Sequence, residues 1–104
     1  MLELRPNCEW CGDELPPNDL RARICSYECT YCAECVEKHL KNVCPTCGGE
    51  LVRRPVRPVR EWRPNSGLGL KFHPASEQRR KSNWSAADLA LMAERVGLLP
   101  PKDR

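Results

Sequence analysis

The chain has 104 residues, room for one small domain and a tail, and eight of them are cysteine. Only 6% of residues are aromatic, ten are proline and 30% are charged, so apolar burial alone does not hold the fold and a large multi-domain enzyme is excluded. The formal net charge of +3 hides an uneven split, with residues 1–49 summing to −3 and residues 50–104 to +6 when the thiols are counted as neutral.

The opening Met1-Leu2-Glu3-Leu4-Arg5-Pro6 has no basic stretch leading into an apolar run, and nowhere do 18 apolar residues follow one another. The expectation is a cytoplasmic chain with no membrane partner. In that compartment thiols stay reduced and ligate metal, with a four-disulfide scaffold as the minor alternative.

Cys8, Cys11, Cys25, Cys29, Cys32, Cys35, Cys44 and Cys47 are spaced C-x2-C-x13-C-x3-C-x2-C-x2-C-x8-C-x2-C, and the remaining 57 residues have none. A C-x2-C pair brings two thiolates to one tetrahedral metal from a single turn, and four sulfurs close a structural zinc site. Eight sulfurs make two such sites. In Cys8-Glu9-Trp10-Cys11-Gly12 and Cys44-Pro45-Thr46-Cys47-Gly48 a glycine follows the second ligand, where positive φ lets backbone N–H groups turn toward sulfur. Between these knuckles, Arg21 to Tyr27 alternates well enough for a short strand, and Gly49 to Val52 offers another. From Cys32 the chain runs without a breaker to Val43, with Val36, Leu40 and Val43 at helical spacing, which predicts a short helix whose N-terminus favours thiolates.

The order knuckle, hairpin, helix and Pro-containing knuckle resembles the RING-type zinc finger over residues 8–47. That resemblance implies a treble-clef, cross-brace arrangement with two Zn²⁺ ions. Cys8, Cys11, Cys32 and Cys35 would hold one, and Cys25, Cys29, Cys44 and Cys47 the other, with Cys29 where most RING fingers carry His. Spacing alone also allows the sequential pairing of the first four and the last four cysteines. The segments MLELRPNCEWCGDELPP and ARICSYECTYCAEC…CPTCGGELVRRP further resemble a family of short, mostly bacterial proteins known as a domain of unknown function, over about residues 1–58. Many RING fingers are ubiquitin ligases. In those, an apolar residue commonly follows the first ligand and a basic one the last; here the positions hold Glu9 and Gly48.

His39 and His73 read as an exposed helix residue and a loop residue, since eight sulfurs already fill two sites. Closed four-sulfur sites leave no open coordination position, so the chain is not expected to be an enzyme.

In the tail, residues 54–64 repeat every three: Arg54, Arg57, Arg60 and Arg63 form one set, Val56, Val59 and Trp62 a second, and Pro55, Pro58 and Pro64 a third. A polyproline II rod has three residues per turn, so each set would line its own edge, with guanidiniums about 9 Å apart. Arg54, Arg57, Arg60, Trp62 and Arg63 are thus candidates for binding a protein, an anionic surface or nucleic acid. The rod could instead serve as a stiff spacer, or dock on the acidic finger of its own chain. The P-x-x-P-x-basic match to SH3 ligands follows from any Arg and Pro repeat.

Farther on, Ser85 and Asp88 suit a capping box, Trp84 and Leu89 a hydrophobic staple, and Gly97 a stop, for a helix with Leu89, Met92, Ala93 and Val96 on one face.

Taken together, the sequence predicts a small metal-stabilised α+β fold. Residues 1–52 form a two-zinc RING-like finger, 53–83 a Pro/Arg-rich linker, extended or loop, 84–97 an amphipathic helix and 98–104 a tail. The expected role is a non-catalytic zinc-binding adaptor for another protein, with a nucleic-acid-binding finger as the alternative. A ubiquitin ligase and an iron–cysteine electron carrier rank lower. Each zinc with four thiolates contributes −2, which would take the finger from −3 to −7 and the chain from +3 to −1.

Overall fold

Ala22, Arg23 and Ile24 alternate inward and outward and form β1 (Ala22–Ile24), with Ala22 and Ile24 buried. In the computed structural model, which describes all 104 residues, β1 is the centre of a three-stranded antiparallel sheet. On one side it pairs with β2 (Thr30–Cys32) in the register Arg23 opposite Tyr31. On the other it pairs with β3 (Val52–Arg53), with Ile24 opposite Val52. The β1–β2 turn carries Cys25 and Cys29 and closes through Cys25 N–H to the Cys29 carbonyl, 3.2 Å, with Glu28 at φ 71°.

The predicted middle helix is present but shorter and wider than its sequence suggests. α1 (Ala33–Cys35) passes directly into a π-helical turn, Val36–Leu40. Val36, Leu40 and Val43 are all buried, yet the helix ends before Val43 because Lys41 and Asn42 turn left-handed at φ 52° and 61°. Asparagine tolerates that region, and here its Oδ1 also accepts the Leu51 N–H at 3.1 Å, tying the helix end to the approach of β3. The core that these elements enclose has twelve members, five of them cysteines, so the interior is arranged around sulfur as much as around hydrocarbon.

α2 (Ala86–Val96) starts as expected, with Ser85 Oγ accepting from Asp88 N–H and Asp88 Oδ2 accepting from Ser85 N–H. It lies on the π-helical turn and buries Leu89. Gly97 ends it in the right-handed region at φ −62°, so the requirement for glycine there is space: a Cβ would collide with the Ala93 carbonyl oxygen. Replacing Ser85 with Ala should cost about 1 kcal/mol of helix stability. Amide exchange at Leu89–Ala93 should accelerate by a corresponding factor; unchanged exchange would mean that docking alone holds the helix.

The segment between the finger and α2 runs back along the finger in its second half. Ser76 N–H reaches the Leu4 carbonyl at 2.9 Å, Asn7 exchanges two hydrogen bonds with the Arg80 backbone, and Ser82 N–H reaches the Glu9 carbonyl at 2.7 Å. Residues 76–82 therefore lie alongside residues 4–9. Arg79 pairs with Glu14 and donates to the Gly12 carbonyl, while Arg80 pairs with Glu3.

Candidate metal centre and the arginine-rich tail

The interleaved topology follows from the strand and helix positions. β2 delivers Cys32 and α1 delivers Cys35 to the first knuckle, while the β1–β2 turn delivers Cys25 and Cys29 to the last one. Cys8, Cys11, Cys32 and Cys35 place all four sulfurs within 4.8 Å of one another, three of the residues buried and Cys11 exposed. The Cys11 and Cys32 sulfurs are 3.8 Å apart. Four sulfurs about 2.3 Å from one zinc stand about 3.8 Å from each other, so the donor set fits a tetrahedral ion. Cys25, Cys44 and Cys47 form a second group within the same 4.8 Å limit. Cys29 touches the Cys25 and Cys44 thiols, but its sulfur lies outside that mutual limit, so the fourfold set expected from the resemblance is closed here by three residues with Cys29 at its rim.

Backbone donors converge on these sulfurs. Cys11 N–H points at Cys8 Sγ at 3.5 Å, Tyr27 N–H at Cys25 Sγ at 3.3 Å, and Gly49 N–H at Cys47 Sγ at 3.3 Å. Gly12 and Gly48 take the positive φ values, 85° and 78°, that the knuckles require. Crowded thiols in each cluster oppose one another's ionisation. Hydrogen bonds from Cys29 and Cys44 hold the Cys25 thiol down to about 2, while that same pairing with Cys25 pushes the Cys29 and Cys44 thiols up. In the first cluster, desolvation pushes Cys11 up to about 11 and Cys35 higher, whereas backbone N–H groups overcome desolvation and hold Cys8 low. A dication bound at each cluster removes that conflict by compensating all the thiolates at once.

Charged residues around the centre are less free than their exposure in sequence suggested. Glu9, between the first two ligands, is buried; Arg5 donates to its carboxylate at 3.1 Å, and Thr30 N–H bonds it too. Sequence reasoning missed this buried pair, for which the only local signal is Arg5 four residues upstream. His39 belongs to neither sulfur cluster and faces Trp10, with ring centroids 6.3 Å apart.

The triplet period of residues 54–64 shows in burial only at its start, where Arg54 is buried and Arg57 half-buried; residues 58–64 are all exposed. Arg54 is 1% exposed and donates to the carbonyls of Arg5, Leu15 and Pro16 at 2.8, 3.0 and 3.1 Å. Arg57 donates to the Leu2 and His73 carbonyls at 2.7 Å each. Neither is available as an outward-facing partner contact, because both satisfy backbone acceptors that no secondary structure satisfies. Arg60, Trp62 and Arg63 remain exposed.

No helix is long and apolar enough to cross a membrane. No solved structure matches the chain. An uncharacterized protein of Rhizobium meliloti (strain 1021) is 54% identical over 79 residues, covering 76% of this chain and 84% of that protein. A family described as "Protein of unknown function (DUF1272)" matches residues 1–57, which include every cysteine. With that match and that relative, the chain belongs to the DUF1272 family.

Proposed function

We propose that the protein is a non-catalytic, two-zinc interaction module. The first zinc is held by Cys8, Cys11, Cys32 and Cys35, and the second by Cys25, Cys44 and Cys47 with Cys29 as fourth ligand. The observation that carries this reading is the convergence of two separate sulfur clusters from segments far apart in sequence. Zinc suits four-sulfur tetrahedral sites, and sites filled by protein ligands offer no position to a substrate. A ligase role is disfavoured by the two positions that such an activity would use. Glu9 is buried against Arg5 and Thr30, and Gly48 lies beneath Met92 and Val96 of α2.

Native mass spectrometry of freshly purified, colourless protein should give the mass of the chain plus two zinc ions with the corresponding loss of protons. A metal-free mass, or a coloured protein carrying iron, would overturn the reading.

A further inference from the structure

We propose that the lobe formed by residues 58–73 binds single-stranded nucleic acid, with Trp62 and Phe72 stacking on bases and Arg60, Arg63 and Lys71 meeting phosphates. This deepens the module reading and rests on it for the rigid platform that carries the lobe.

The lobe is closed by its own bonds. Leu70 N–H returns to the Pro58 carbonyl at 2.9 Å, Ser66 N–H to Arg63 at 3.1 Å, and His73 N–H to Gly69 at 2.9 Å. Gly69, at φ 121°, lets the two limbs approach, since a Cβ would lie 3.0 Å from the Arg60 carbonyl oxygen. Glu61, the lobe's one acid, accepts the Gly67 N–H at 2.8 Å. A loop organised in this way loses little conformational freedom on binding.

What it presents is cationic and aromatic. Trp62 is 75% exposed and Phe72 45%. Each ring has a cation beside it, Arg60 at 5.9 Å from the Trp62 centroid and Lys71 at 5.8 Å from that of Phe72. Arg60, Arg63 and Lys71 take part in no ion pair, in contrast to Arg79 and Arg80. An exposed ring with an adjoining cation matches the repeating unit of a single strand, a base face next to a phosphate. A duplex keeps its base faces stacked away from such rings. Residues 1–49 sum to −7 once two zinc ions are bound, and the cations docked on them, Arg54, Arg57, Arg79 and Arg80, are engaged with finger acceptors, which leaves the lobe's free cations as the favoured contact for a polyanion.

The test is fluorescence anisotropy of a labelled oligothymidylate of about twelve nucleotides against the zinc-loaded protein. Binding should weaken with salt at a log–log slope of about −2, from about three phosphate contacts at ~0.7 each. Trp62→Ala should weaken it about tenfold, and Arg63→Ala or Lys71→Ala should each remove about 0.7 from the slope. All three side chains are exposed, so the variants should retain both zinc ions by native mass spectrometry. Absence of binding at about 50 mM salt, or Trp62→Ala binding like the parent, would overturn the proposal. So would Trp62-dependent association with vesicles of three parts phosphatidylcholine to one part phosphatidylglycerol in place of the oligonucleotide. Zinc content is read separately, so a zinc-loaded protein that ignores the oligonucleotide sinks the lobe assignment alone, and a metal-free one sinks the platform.

Discussion

Removal of zinc should unfold residues 8–47 outright. Structural zinc contributes an apparent free energy on the order of 10 kcal/mol per site, comparable to the whole stability of a small domain. The remaining core cannot substitute for it, because five of its twelve members are the proposed ligands themselves. Cys8→Ser should have the same consequence as a chelator: Cys8 is fully buried in the first cluster, and an oxygen there is a poor replacement for a thiolate. Near-UV circular dichroism and amide NMR dispersion should collapse on chelation and return when zinc is restored. Acid should do likewise, since protons compete with the metal for each sulfur and affinity falls as pH falls. A chelated chain with unchanged spectra would refute the dependence.

The second large effect belongs to Arg54. Its guanidinium is buried without a carboxylate in contact, held instead by three backbone carbonyls, and burial pulls its pKa below the ordinary value. Arg54→Ala would leave the Arg5 and Leu15 carbonyls unpaired in a closed space, with Pro16 keeping only its bond from Asp19 N–H, a loss of about 3–5 kcal/mol by analogy with breaking other buried charged contacts. Arg54→Lys should recover little, because one ammonium does not reproduce the fork that spans Arg5 on one side and Leu15 and Pro16 on the other. Arg63→Ala is the control, being exposed and unpaired, and should change stability by less than about 0.5 kcal/mol. Thermal unfolding of the zinc-loaded variants separates these outcomes; equal stability of Arg54→Ala and Arg63→Ala would show that Arg54 holds nothing.

Arg54 also marks where the sequence stops being legible. The C-x2-C knuckles, the glycines behind them, the strand at Ala22–Ile24 and the Ser85–Asp88 cap all rest on local rules, in which a residue type and its neighbours within a few positions decide the geometry. The period of three at residues 54–64 was local as well. Which edge of that repeat faces inward was not, because it depends on carbonyls at Arg5, Leu15 and Pro16, some 40 to 50 residues away. The same reasoning explains Glu9. A carboxylate beside two metal ligands looks solvent-facing until Arg5 and the Thr30 amide are brought to it. The early end of the middle helix has a similar origin: Asn42 is a weak local stop signal, and its bond from Leu51 N–H, nine residues on, fixes the end there. At the centre itself, spacing left two pairings open, and the fold brings Cys8 and Cys11 to Cys32 and Cys35 because β2 and α1 lie against the first knuckle.

The hydrogen bonds from Ser76, Arg80 and Ser82 to residues 4–9 carry the physical boundary of this domain past the end of its family match. The family match ends at residue 57, but Leu89, 2% exposed and part of the same core, lies 32 residues beyond it. A polypeptide cut at residue 57 would hold every sulfur yet uncover the wall on which α2 rests and strand the backbone of its own first ten residues. The family match and the folding unit are two lengths of one chain, and the shorter would be a different molecule.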